Sequence, residues 1–171
     1  MRFEEVIASY HDEIYRYLFR RCLSGDSPDP EAEAEDLTQD TFEQAFQAYD
    51  RLRPNSNVRA WLYKIARNRA NDHYNKQQGP LGSTGPEILT TSGQRNPEAQ
   101  HAKEQQRNWL LLQVRDLPEK QREALTMRYL QELSYADIAE VLSCSQDSAR
   151  ANVHQALSKL RLTNQGQEKA P

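Results

Sequence analysis

The sequence predicts an all-α fold made of two small helical domains joined by a flexible linker, the second domain containing a helix-turn-helix. Three observations carry this prediction. Gly is scarce in the 171 residues, whereas Ala, Glu, Gln, Leu and Arg, which favour helix, are plentiful. Apolar residues recur at spacings of three and four through most of the chain, the period of helices with one buried face. Residues 77–95 break that period with Gly79, Pro80, Gly82, Gly85, Pro86 and Gly93 among Ser and Thr. About 20 residues without structure are foreign to one compact domain, so this stretch divides the chain. The expected units are residues 1–76, a linker at 77–95, residues 96–162, and a polar tail at 163–171.

In the first unit, Phe3, Val6, Ile7, Tyr10, Ile14, Tyr17 and Leu18 predict an amphipathic helix over residues 2–23, ending near Ser24-Gly25 with its aromatics in the core. Pro28 and Pro30 make the segment from Asp26 turn-like. A second helix is expected from about Glu31 to Tyr49, with Ala34, Leu37, Thr41, Phe42, Ala45 and Phe46 inward. Glu33, Glu35, Asp36, Gln39, Asp40 and Glu43 fall mostly outward. Arg53-Pro54-Asn55-Ser56-Asn57 interrupts the pattern, and Asn57 is placed to cap a third helix from Val58 to about Lys76. Its apolar stripe of Trp61, Leu62, Ile65 and Ala66 is mixed with basic, amide and aromatic side chains. Cations that follow a backbone, beside rings that offer stacking surfaces, suit single-stranded DNA. The competing assignment puts Trp61 and Tyr63 in the core.

In the second unit, Asn96-Pro97-Glu98 combines a cap, a first-turn Pro and an acid at the positive end of a helix dipole. That helix carries Trp109, Leu110, Leu112 and Val114 to about Asp116. Leu117-Pro118 starts another, through Ala124, Leu125, Met127 and Tyr129 to about Gln131. Residues 134–162 read as two helices joined by a tight turn. Ser134 and Asp137 have the spacing of a capping box, and Tyr135, Ile138, Ala139, Val141 and Leu142 form an apolar face. Ser145 is the second cap. Beyond it, Ala149, Val153, Ala156, Leu157 and Leu160 turn one way, leaving Ser148, Arg150, Ala151, Asn152, His154, Gln155 and Lys159 on the other faces. Small and polar side chains on a supported helix suit a DNA groove. An ordinary helical hairpin has the same period, so this stretch alone leaves both readings open.

Charge is segregated along the chain. Residues 1–50 hold four Lys or Arg against thirteen Asp or Glu, whereas residues 51–76 hold seven basic residues against Asp72 alone. The remainder carries eleven of each. An acidic block repels nucleic acid and attracts a basic protein surface, and the adjacent basic block neutralises phosphates. Two partners of opposite charge are thereby implied.

No catalytic constellation emerges. His11, His73, His101 and His154 are scattered without metal-ligand spacing, and no Gly-rich phosphate loop exists, so neither a metal nor a cofactor is expected. Cys22 and Cys144 read as small hydrophobes rather than a disulfide. No run of 18 apolar residues occurs, and the acidic N-terminus is unlike a signal peptide, so no membrane insertion is expected and the protein should be cytoplasmic.

The string Glu33-Ala34-Glu35-Asp36-Leu37-Thr38-Gln39-Asp40-Thr41-Phe42, followed by Trp61-Leu62-Tyr63-Lys64-Ile65-Ala66-Arg67-Asn68 and Asp72, resembles region 2 of bacterial RNA polymerase sigma factors of the extracytoplasmic-function (ECF) group. Leu117-Pro118, Gln121-Arg122, Ser134-Tyr135-Ala136-Asp137-Ile138-Ala139, then His154, Ala156 and Leu160-Arg161, resembles region 4 of the same group. The resemblance implies a non-enzymatic promoter-specificity subunit in two domains. Glu35, Asp36, Gln39 and Phe42 would bind core RNA polymerase at the clamp of its largest subunit, and the second domain would meet the flap of the second-largest. Asn55, Ser56, Asn57, Arg59, Lys64, Arg67, Asn68, Asn71 and Asp72 would capture the melting minus-10 strand. Ser145, Ser148, Arg150, Ala151, Asn152, His154, Gln155 and Lys159 would face the minus-35 element. An anti-sigma factor is a further implied partner.

The chain departs from the family pattern in two places. Where the group commonly reads Thr-Val-Lys-Ser-Arg-Leu-His-Arg-Ala, this chain has Ser148-Ala149-Arg150-Ala151-Asn152-Val153-His154-Gln155-Ala156, with Asn152 and Gln155 in place of two cations. Fewer cations flatten the salt dependence, and the amides can read adenine edges. Arg69 stands where the third helix usually carries an apolar residue. Two rival readings stay open at this level. One is a helix-turn-helix regulator of duplex DNA that is not a sigma factor. The other is a sigma-like protein-interaction regulator.

Overall fold

The computed structural model describes residues 2–23, 27–78, 109–110 and 112–167. Among these residues all regular structure is helical, in agreement with the predicted class. Helices α1 (Phe3–Leu23), α2 (Pro30–Tyr49) and α3 (Val58–Gln78) form the N-terminal half, and α4 (Glu119–Tyr129), α5 (Tyr135–Leu142) and α6 (Gln146–Gln167) the C-terminal half. Residues 77–78, expected in the linker, continue α3, and residues 163–167, expected in the tail, continue α6, because the helical backbone runs on past the last predicted apolar position in each. The expected helix start at Asn96, the stop at Ser24-Gly25 and residues 79–95 and 168–171 lie outside the described residues.

The first three helices pack on one another in a bundle. Val6, Ile14, Tyr17, Leu18 and Cys22 of α1 meet Leu37, Phe42 and Ala45 of α2 and Leu62, Tyr63 and Ala66 of α3. Thr38 and Thr41 are buried at the same seam. Their hydroxyls donate to the carbonyls of Ala34 and Leu37, each at 2.6 Å, so neither polar group is left without a partner. Trp61 is half-buried, tilted against Tyr49 with ring centroids 6.4 Å apart, and Tyr63 is fully buried. Both rings therefore take the core assignment. Arg69 meets α2 through Nε, which donates to Gln44 Oε1 at 2.6 Å, replacing the expected apolar packing by a hydrogen bond.

Three expectations for α2 are corrected. The helix begins at Pro30 rather than Glu31, because Asp29 accepts from the Ala32 amide and Pro30 occupies the first helical position, where its missing N–H costs nothing. Phe46, expected inward, is 66% exposed and packs tilted against Phe3 with ring centroids 5.3 Å apart. Glu33, expected outward, has an 11% exposed side chain and pairs with His73 Nε2 at 2.8 Å.

In the C-terminal half, α4, α5 and α6 pack around Met127, Leu133, Ile138, Val141, Ala149 and Val153. The capping box forms as the sequence predicts: Ser134 Oγ accepts from Asp137 N at 3.1 Å and Asp137 Oδ2 accepts from Ser134 N at 2.9 Å. Ser143 takes a left-handed backbone (φ 52°) to close α5, and Ser145 Oγ then accepts from Ser148 N at 3.1 Å to open α6. The two halves are in contact, with α5 packed against α3. Nothing in the local periodicity announces that contact.

Candidate polymerase and nucleic-acid surfaces

The acidic face of α2 comes from its amphipathic pattern, which buries Ala34, Leu37, Thr41 and Ala45 and leaves Glu35, Asp36 and Gln39 exposed. An open groove runs between α1 and α2, with Ile7, His11, Phe42 and Phe46 along it and Glu4, Asp12, Glu35 and Glu43 at its edges. Phe42 is itself 7% exposed and stacks on His11 with centroids 5.9 Å apart. Asp36 faces a second, smaller cleft with Asp29, Glu33, Asp40 and His73, and Gln39 borders both. Three of the four predicted residues thus share one groove. Ile7 and Phe46 also line that groove, and the inward assignment of Phe46 hid this from the sequence reading.

On the basic side, Asn57 caps α3 as predicted, its Oδ1 accepting from Ala60 N at 3.1 Å, while its amide donates to Asp137 at the head of α5. Asn55 precedes it in a left-handed conformation (φ 67°) that presents an exposed side chain. Arg59 donates through Nε to Glu13 Oε1 at 2.8 Å and through Nη2 to the Gln131 carbonyl at 2.7 Å. The Tyr63 hydroxyl donates to the same Glu13 oxygen at 2.8 Å. Arg67 addresses Glu123 of α4 with one edge of its guanidinium in a bidentate pair, Nε to Oε1 at 3.0 Å and Nη2 to Oε2 at 2.8 Å. Arg21 donates to the same carboxylate through Nη1, sharing Oε1 at 2.9 Å, while its Nη2 donates to Asn71 Oδ1 at 2.7 Å.

Burial works against the charge on all three guanidiniums. The facing Tyr17 and Glu123 at Arg21, Glu123 at Arg67 and Glu13 at Arg59 outweigh it, holding each above its ordinary range. The predicted minus-10 set is therefore split. Asn55, Asn68 and Asp72 are open to solvent, Ser56 and Lys64 are half-buried, and Asn57, Arg59, Arg67 and Asn71 are engaged in intramolecular hydrogen bonds.

On α6, burial of Ala149, Val153 and Ala156 turns Ser148, Arg150, Ala151, His154, Gln155 and Lys159 outward, with Ser145 exposed at its head and Asn152 half-buried. The Arg150 guanidinium also lies over the Tyr135 ring, and Arg128 approaches the same ring at 4.9 Å. Gln155 accepts from Gln121 Nε2 of α4 at 2.7 Å. These supports link α6 to its own half through side chains that sequence spacing does not pair.

No group of three metal-ligating side chains is present among the described residues, and no described helix is long and apolar enough to cross a membrane.

Comparison with known proteins matches both halves in order. Residues 6–79 match the family model for sigma-70 region 2 and residues 107–160 the model for sigma-70 region 4. RNA polymerase sigma factor YlaC of Bacillus subtilis is 32% identical over 161 residues, covering 92% of this chain and 89% of YlaC. The ECF RNA polymerase sigma factor SigM of the same organism is 26% identical, covering 97% of this chain and 98% of SigM. The solved structure of sigma factor RpoE in complex with the anti-sigma factor NepR from Bartonella quintana superposes with a TM-score of 0.66 at 22% identity, covering 93% of this chain and 94% of that one. The chain belongs to the sigma-70 family of RNA polymerase sigma factors, within the ECF group.

Proposed function

We propose that this sigma factor uses its two charged faces in turn. The acidic α2 surface, through Glu35, Asp36, Gln39 and Phe42, docks on the basic clamp of core RNA polymerase, while the C-terminal half meets the flap. The loop from Asn55 to Asn57 and the polar face of α3 hold the melted minus-10 strand, and α6 enters the major groove at minus-35. Trapping an unpaired base must offset a few kcal/mol of unstacking. Aimed amide and cationic side chains supply that stabilisation, and polymerisation is left to the partner enzyme in the cytoplasm. By analogy with RpoE, whose solved structure holds an anti-sigma factor, an inhibitor of that kind is a partner here too.

The observation that carries this reading is the order of the charged helices: an exposed acidic face on α2 directly followed by a basic α3, both within the region 2 match. A helix-turn-helix regulator has no use for that pair. The test adds the purified protein to sigma-free core polymerase with a genomic promoter library and sequences the transcripts. Initiation at a discrete promoter set is expected. Failure to bind core would sink the assignment of these faces.

A further inference from the structure

Gln155 stands exposed on the outward face of α6, one turn beyond the small and equally exposed Ala151, a placement that suits contact with base edges in a groove. Its side chain is nonetheless held from α4. Gln121 lies in the first turn of that helix, where its backbone N donates to the Pro118 carbonyl at 2.9 Å, and its side-chain Nε2 donates to Gln155 Oε1 at 2.7 Å. Gln121 Oε1 is enclosed and accepts from no group among the described residues. What Gln121 offers to α6 is therefore N–H alone. A glutamine amide has one oxygen that accepts and one NH2 that donates, so the bond that occupies Gln155 Oε1 leaves Nε2 as the end available to a ligand.

We propose that Gln121 is a positioning residue that turns Gln155 into a donor-only reader of one minus-35 base, selecting a keto base, guanine or thymine, on the strand that Gln155 faces. In the major groove guanine presents O6 and N7 and thymine presents O4, all acceptors, whereas adenine N6 and cytosine N4 carry amines that would face the Nε2 hydrogens. A glutamine free to turn pairs with adenine through both its ends, and that pairing needs the oxygen that Gln121 holds. Fixing the side chain before DNA arrives also lessens the conformational entropy that a long, flexible amide loses on contact. This inference deepens the minus-35 role proposed for α6 and rests on it.

The test assembles the full chain with core polymerase, selects bound duplexes from a promoter library randomised across the minus-35 element, and compares base counts position by position. Wild type should favour G or T over A and C at one position by about five- to tenfold, the discrimination of one such contact. Gln155→Ala should level that position and leave the others as they were. Gln121→Glu replaces the donor by an acceptor of the same shape, so Gln155 turns its Nε2 towards α4 and its Oε1 to the groove. Preference at the same position should then swing to A or C, a reversal that a loss of packing does not produce. Gln121→Met keeps the length without a donor; it should level the keto preference, and it serves if Gln121→Glu fails to fold. A wild-type motif whose every position survives Gln155→Ala, or a keto preference that the Gln121 variants leave unmoved, would overturn the inference and leave the proposed function standing. A wild type that binds core polymerase yet selects no minus-35 motif would count against the role proposed for α6, and the inference would fall with it.

Discussion

The Arg150 guanidinium sits 5.3 Å from the centre of the Tyr135 ring, so the one cation retained in the first turns of α6 rests on the first residue of α5. Such a contact at an exposed site contributes about 0.5–1 kcal/mol. Tyr135→Leu should therefore weaken binding of a minus-35 duplex only about two- to fivefold. Arg150→Ala should weaken it further and reduce the salt slope by about 0.9, the loss of one phosphate contact. Anisotropy titrations over a salt series separate the two. An unaltered affinity in Arg150→Ala would place the DNA contacts elsewhere.

Charge reversal on α2 addresses the protein partner. Asp36 is exposed in the cleft beside His73, away from the core, so Asp36→Arg should fold normally yet lose association with core polymerase in a pull-down. Binding of a minus-35 duplex should be spared. Retained core affinity would show that the clamp contact lies on another face.

Phe46 offers a different probe of the same surface. Because its ring is 66% exposed, Phe46→Ser should change stability by no more than about 0.5 kcal/mol. If the α1–α2 groove is part of the docking surface, core affinity should nonetheless fall severalfold, as measured by competition with a labelled sigma factor.

The capping box supplies a stability prediction. Ser134→Ala removes the acceptor for the Asp137 amide and should cost about 1 kcal/mol. For a chain of this size that lowers the melting temperature by about 2–4 °C. Asp137→Ala should cost more, since it removes the reciprocal bond and the contact with Asn57 as well.

Alkaline pH tests the burial of Cys22. Desolvation pushes its thiol from 9.0 up to about 11. A folded-state value above the unfolded one means the contribution is fully present below about 9 and is lost as pH rises through about 11. Thermal unfolding should show stability falling across that window, and Cys22→Ala should show a shallower fall. Tyr63 and Tyr74, also raised by burial, add to the loss at the upper end.

Helical periodicity, the Ser134 box, the Ser145 and Asn57 caps and the outward face of α6 were all legible because each is a local pattern within a few residues. The Asp29-Pro30 start of α2 was equally local. It obeys the rule applied to Asn96-Pro97 but was masked by reading both prolines as turn formers. Phe46 misled because period assigns a face and not the width of the neighbouring helix, and α1 leaves that end of the stripe uncovered. The Arg21–Glu123 and Arg67–Glu123 pairs span 102 and 56 residues, a separation at which charge patterning carries no signal about which residues meet.

The His73–Glu33 pair has a mechanical consequence. It ties α3 to α2 inside the cleft that also presents Asp36. On the docking proposed for Asp36, polymerase seated on that cleft would load α2 and α3 together through the Glu33–His73 pair. With α3 holding the melted strand as proposed, the protein–protein contact would then help set the angle at which that helix meets the DNA.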